Sequence, residues 1–233
     1  MKLLFLVKTL SGVSFLTFII GPLLSHYEIL TPFQGFKLFG CGLLMCLLAF
    51  IGLCVVGIWL HNLRQILLYA VLSLVPIILA VVFLVQARKF PPINDITTDL
   101  DNVPQFRQAQ NLPENKARDL RYPEAFRQIA RASYADLKPF VSRLTPQELY
   151  ARCLVIIKRH DDWTLTVSDP ENLAIEGYVT SFTFHFKDDF VIKIQDSSGY
   201  GWLNMRSKSR DGKGDLGANA KRIRAFLSEL SSE

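Results

Sequence analysis

Cysteine is scarce and unevenly placed. Of four, Cys41, Cys46 and Cys54 fall in one apolar run and Cys153 stands alone in the remainder. A lone thiol outside the apolar region excludes a disulfide framework there. Histidine is equally sparse: His160 and His185 join Cys153 in the polar part at none of the short spacings a zinc site requires. No metal and no cofactor are expected. A G-x-S-x-G elbow, a phosphate loop and a dinucleotide fingerprint are all missing, because "GYG" at 199–201 and "GKGDLG" at 212–217 lack the required strand and helix context. The basic balance is also less than it looks. Lys2, Lys8, Lys37, Arg64 and Glu28 are the charges before residue 88, which leaves 22 of 26 cations against 20 of 21 acids in the rest. So mild an excess gives no argument for nucleic acid as a partner.

What the first 87 residues lack is charge over long distances. "ILLYAVLSLVPIILAVVFLV", residues 66–85, holds none, and as a helix this run is about 30 Å long, the thickness of a bilayer core. Residues 38–60 add a second uncharged run ending near Trp59, where an interfacial aromatic belongs. A third span, about 3–24, carries Lys8, which snorkels toward the interface. "IIGPLLSHYE" offers no cleavage site, so this span is expected to persist. Gly42 and Cys46 form a small-xxx-small pair for close helix packing. With no Asp, Glu, Lys or Arg inside the second and third spans, the region reads as an anchor and not a channel. Lys2, Lys8 and Arg64 set against Lys37, Arg88 and Lys89 lean toward a cytoplasmic N-terminus, which places the C-terminal domain on the exported side of the membrane.

Residues 88–122 hold prolines among Asn, Asp and Thr, and read as an irregular, proline-rich lead-in to a soluble domain over 123–233. Thr145, Pro146 and Glu148 spell a capping box opening a helix over 146–160, with Leu149, Cys153, Ile156, Ile157 and His160 on one side. Four strand-like runs follow, over 163–167, 174–186, 190–195 and 202–209, joined by short turns that imply antiparallel neighbours. In the second run Phe182, Phe184 and Phe186 alternate with Ser181, Thr183 and His185; the latter three read as exposed polar residues, since neighbours on one strand make a poor nucleophile and base. A closing helix over 216–230, N-capped by Asp215, carries an apolar stripe from Leu216 to Leu230. The expected class is α+β: N-terminal transmembrane helices, then an antiparallel sheet with helices mainly on one face.

The densest chemistry lies in "RSKSRDGKGDLGANAKRIR", residues 206–224. Strand alternation puts Arg206, Lys208 and Arg210 on one face and Ser207 and Ser209 on the other, with Gly212 and Gly214 beyond, and Asp215, Asn219 and Arg222 along one helix flank. One reading is an anion pocket in which Arg206, Arg210 and Arg222 bind phosphate or carboxylate beside glycine-loop amides. The other pairs these arginines with the domain's own Glu176, Asp188, Asp189 and Asp215, and Asp215 at the helix start would repel an anion. Period-two counting places Glu176 on the face of Phe182 and Phe184, where a carboxylate needs a cation, Arg206 or Arg210, or else serves as a general acid or base.

This segment resembles the C-terminal signature of the bacterial and plastid family known as domain of unknown function 1499, approximately R-S-x-S-R-x-G-x-x-D-x-G-x-N-x-x-R-I. The matching residues are Arg206, Ser207, Ser209, Arg210, Gly212, Asp215, Gly217, Asn219, Arg222 and Ile223. "NDITTDLDNVPQF", "IEGYVTSF" and "DDFVIKI" extend the likeness over residues 90–230. The resemblance implies a fold and candidate positions but no activity, in a setting that often follows membrane segments. The expectation is a membrane-anchored, non-enzymatic binding or assembly module. Its partners would be the lipid bilayer and an anionic lipid, a glycan or an acidic protein segment. The alternative is an envelope hydrolase or transferase using Glu176 and nearby arginines.

Overall fold

The computed structural model describes residues 2–60 and 63–232, in two units. The first comprises α1 (Lys2–His26), α2 (Pro32–Leu60) and α3 (Leu67–Ala87), together with residues Phe182–His185. All three helices are long and apolar enough to cross a membrane, with mean hydropathies of 2.1, 2.7 and 2.9. α2 begins six residues before the expected span because Thr31 and Gln34 cap it reciprocally: the Thr31 amide donates to Gln34 Oε1 (3.0 Å) and the Gln34 amide to Thr31 Oγ1 (3.3 Å).

Close approach of α1 and α2 depends on Gly42, where a Cβ would lie 2.3 Å from the Phe18 nitrogen. A serine seam ties α1 to α3, with Ser11 Oγ 2.7 Å from the Tyr69 carbonyl and 2.8 Å from Ser73 Oγ. Lys8 Nζ stands 5.3 Å from the centre of the Tyr69 ring, so an aromatic face softens the cost of that charge within the helix.

The second unit holds β1 (Asp95–Thr97), α4 (Glu124–Ser133), β2 (Phe140–Val141), α5 (Pro146–Arg159), β3 (Trp163–Asp169), β4 (Ala174–Thr180), β5 (Lys187–Ser197), β6 (Tyr200–Ser209) and α6 (Ala218–Ser232). The sheet is antiparallel throughout, in the order β1-β6-β5-β4-β3, with β2 also on β6. The mixed α+β class expected from the sequence is the one found. α5 opens with the full Thr145–Glu148 capping box, and its Leu149, Cys153, Ile156 and Ile157 enter the core. Ala220, Ile223, Phe226 and Leu230 of α6 join them over Ile175, Phe190, Ile192, Leu203 and Met205 of the sheet. Gly177 makes room for the Phe190 ring, since a Cβ there would meet Thr164 O at 2.2 Å and Phe190 Cζ at 2.6 Å.

Four expectations are corrected. The lead-in is not a mere approach, for it supplies β1 at the sheet edge. α4 was not anticipated, because Pro123 gives it no side-chain cap and only Phe126 and Ile129 are large apolar residues. The second strand ends at Thr180, and the turn expected at "KDD" is part of β5. The Phe182 and Phe184 alternation is therefore not a strand face: the Phe184 ring packs 5.5 Å and 5.6 Å from those of Phe36 and Phe39 in the helical unit. α6 starts at Ala218, since Leu216 and Gly217 have φ of +55° and +79°, which no helix accepts; Leu216 thus leaves the apolar stripe and is 44% exposed.

Burial pushes the Cys153 thiol up to about 12. In a variant with Cys41, Cys46 and Cys54 replaced by Ala, Cys153 should therefore resist maleimide at pH 8 in the native protein and react fully in denaturant, which mass spectrometry would read directly.

Candidate functional site

Strand register sets the geometry. Opposed residues of an antiparallel pair share a face, so Asp95, Lys208, Asp189 and Tyr178 form one row across β1, β6, β5 and β4. Thr97, Arg206, Val191 and Glu176 form the next. Both rows lie on the face away from α5 and α6.

Arg206 is fully buried there. Its Nε and Nη2 donate to the two oxygens of Asp95 (2.9 and 2.8 Å), its Nη1 to Pro104 O (3.0 Å) and its Nη2 also to Leu120 O (2.7 Å). Phe106 and Tyr122 flank the guanidinium at 4.7 and 5.5 Å. Four of its five N–H donors are thus used inside the protein. Lys208 Nζ adds a third bond to Asp95, at 2.8 Å. Asp189, also fully buried, receives Arg210 through Nε (2.9 Å) and Nη2 (2.7 Å), Arg118 Nη1 (3.0 Å) and Asn115 Nδ2 (3.1 Å).

On the helix side, Ser207 Oγ donates to Asn219 Oδ1 (2.7 Å), and Asn219 Nδ2 donates to Ser209 Oγ (2.9 Å). Arg222 reaches Ser207 Oγ (2.8 Å) and Asn219 Oδ1 (2.6 Å) and pairs with Asp188 at 2.6 Å. Asp215 accepts the amides of Gly217 and Asn219, each at 2.9 Å; burial nevertheless lifts its carboxyl above the ordinary range. The Gly212 carbonyl holds Asn94 Nδ2 at 2.7 Å. The structure therefore brings the predicted corner together through internal carboxylates. The sequence reading named Asp188 and Asp189 as partners but missed Asp95, Asn115 and Arg118, which lie about 70 to 110 positions from the residues they hold.

Glu176 is buried as expected, but the pairing with Arg206 or Arg210 is not made. Its carboxylate instead accepts the amides of Arg107 (2.7 Å), Gln108 (3.0 Å) and Ala109 (3.0 Å) at the start of a short 3-10 turn, Ala109–Asn111. The physical reason is topological: a loop that folds over the sheet presents three orphan amides, and a carboxylate answers them as well as a cation would answer the carboxylate.

The same loop leaves one end of the polar face uncovered. There a cavity of about 290 Å³ is lined by Asn102, Gln105, Arg107, Lys193, Gln195 and Asn204, over a floor of Ala174, Val191 and Glu176. Asp99 organises its rim, accepting the amides of Asp101 (2.9 Å) and Asn102 (3.0 Å) and the side chains of Asn102 (3.4 Å) and Asn204 (3.3 Å). Burial raises its carboxyl, but these bonds outweigh burial and hold it below the ordinary range. Lys193 Nζ donates to Asn172 O and keeps further N–H groups for the cavity. Arg107 is exposed, and its charge acts on Asp169, but no hydrogen bond or close ion pair holds its guanidinium among the described residues. Sequence alternation could have flagged Lys193 and Gln195, but nothing in it brings residues 102–107 above them.

Breaking a buried pair by removing one member costs about 3–5 kcal/mol. Asp95→Asn, which strands Arg206 and Lys208, should lower the unfolding free energy of the detergent-solubilised chain by that order, read from urea denaturation followed by Trp fluorescence. Arg210→Ala should cost clearly less, because Arg118 and Asn115 still hold Asp189.

No curated protein matches the chain. The family described as a protein of unknown function, DUF1499, matches residues 95–230. That range runs from the buried Asp95 of β1 to Leu230 in α6 and covers more than half of the chain; the chain belongs to the DUF1499 family.

Proposed function

We propose that the chain is a membrane-anchored binding module that takes a small anionic ligand in the cavity at the open end of the polar sheet face. The observation that carries this reading is the division of labour among the cations. Arg206, Lys208, Arg210 and Arg222 are bound to Asp95, Asp189 and Asp188, whereas Arg107 and Lys193 line a cavity whose floor acid, Glu176, is occupied by three backbone amides and whose rim acid, Asp99, by two amides and two side chains. The arginine corner is the frame beside the ligand site. A hydrolase or transferase using Glu176 is less well supported, because the oxygens it would need for proton transfer are taken up by those amides.

The full chain in nanodiscs of zwitterionic lipid provides the test, with sodium glucuronate, inorganic phosphate and dihexanoyl phosphatidylglycerol as probes. At least one should raise the thermal midpoint in step with the logarithm of its concentration above Kd, the rise corresponding to about 2.7 kcal/mol of stabilisation at a hundredfold excess over Kd. Arg107→Ala with Lys193→Ala should abolish that shift with little change in the unliganded midpoint. A shift that survives in the double variant would remove the cavity as the site.

The three helices anchor this module in a bacterial inner membrane, with the C-terminal domain on the exported side. Support comes from Lys2, Lys8 and Arg64 on the side assigned to the cytoplasm. A reporter enzyme active only outside the cytoplasm, fused after residue 233, should be active; activity only from a fusion in the connection between α2 and α3 would reverse the orientation.

A further inference from the structure

The cavity's lining narrows the ligand class, an inference that rests on the binding reading above. Four of its side chains, Asn102, Gln105, Gln195 and Asn204, are primary amides, and two, Arg107 and Lys193, are cations. An amide offers both donors and an acceptor. That suits hydroxyl groups, which also donate and accept, better than it suits a phosphate, whose oxygens call for donors alone. Asn204 is set in place: it is buried, its Nδ2 donates to Asp99 at 3.3 Å, and Thr98 Oγ1 lies 3.5 Å from its Oδ1.

The adjacent row of the same sheet face adds an aromatic. Trp202 pairs with Gln195 across β5 and β6, and therefore shares its face. Its indole Nε1 is buried without a hydrogen-bond partner among the described residues, and the side chain as a whole is half-buried next to Gln195, which lines the cavity. Flat aromatic surface beside convergent amides suits the apolar face and hydroxyl edge of a pyranose ring. A volume of about 290 Å³ suits one or two sugar units. Only the two cations remain to be matched, and a carboxylate on the sugar matches them.

We infer that the cavity binds an acidic saccharide, with Lys193 and Arg107 on the carboxylate, the four amides on the hydroxyls and Trp202 against the ring. The amides account for selectivity over bare anions, and the cations for selectivity over neutral sugars.

Isothermal titration of the full chain in zwitterionic nanodiscs with glucuronate, galacturonate, glucose and inorganic phosphate tests this directly. The expected result is binding of at least one uronate at least tenfold tighter than glucose or phosphate. Lys193→Gln should remove most of the advantage over glucose, and Trp202→Ala should weaken the uronate about tenfold, with circular dichroism unchanged in each variant. If phosphate binds as tightly as either uronate, and Trp202→Ala leaves both unaffected, the cavity is an anion site without sugar recognition: the saccharide assignment falls while the binding reading stands. If none of the four binds, and dihexanoyl phosphatidylglycerol does not bind either, both fall together.

Discussion

One carboxylate holds the polar half of the domain in place. Asp95 is fully buried on the edge strand β1, and it answers two cations of β6, the bidentate guanidinium of Arg206 and the ammonium of Lys208. Neither sign could be buried there alone, since an uncompensated charge in such surroundings costs several kcal/mol. The remaining donors of Arg206 then select what lies over the sheet: Pro104 O and Leu120 O are the two ends of the loop that roofs it. The path of residues 98–122 thus follows from where a guanidinium can find acceptors. Glu176 fixes the middle of that path by collecting the amides of residues 107–109, and the cavity is what the loop leaves open.

Buried ion pairs contribute little net stability compared with well-packed apolar residues, but they are intolerant of misplacement. The two faces of this sheet divide accordingly. The helix-covered face is ordinary core, in which Phe190 seats against Gly177 and under Trp163. The opposite face is a polar lattice in which the three buried carboxylates of Asp95, Asp189 and Glu176 each have specific donors. Specification of one arrangement is the physical benefit of the second face; cohesion is the benefit of the first.

Period and punctuation made much of this legible in the sequence. The uncharged runs located α2 and α3, the Thr145 box located α5, and the alternation along β6 sorted Arg206 and Lys208 from Ser207 and Ser209 correctly. Failures arose where a periodic pattern was overridden by a specific contact, local or distant. Phe182 and Phe184 alternate like a strand, yet Phe184 packs on rings of the helical unit. Leu216 continues the spacing of α6, yet Asp215 captures the Gly217 and Asn219 amides and turns the chain before the helix begins. Glu176 was recognised as a buried acid in need of a partner, but amides of a loop some 70 residues earlier carry no signature that a sequence window can detect. Asp95 lies within "NDITTDLDNVPQF" of the family pattern, and its role depends on a strand 111 positions away.

That separation imposes an order on biogenesis. β1 follows α3 by a few residues, so it emerges from the ribosome just after the last membrane helix, more than a hundred residues before the Arg206 that must neutralise its acid. During synthesis the edge strand is tethered at the bilayer with its carboxylate hydrated and its neighbours unmade, and β2, β3 and β4 are all complete before it can pair. Closing so long a loop is slow and entropically costly. The domain therefore assembles after translation has nearly ended, and its final closure joins the strand that follows the membrane helices most closely in sequence to one made almost last.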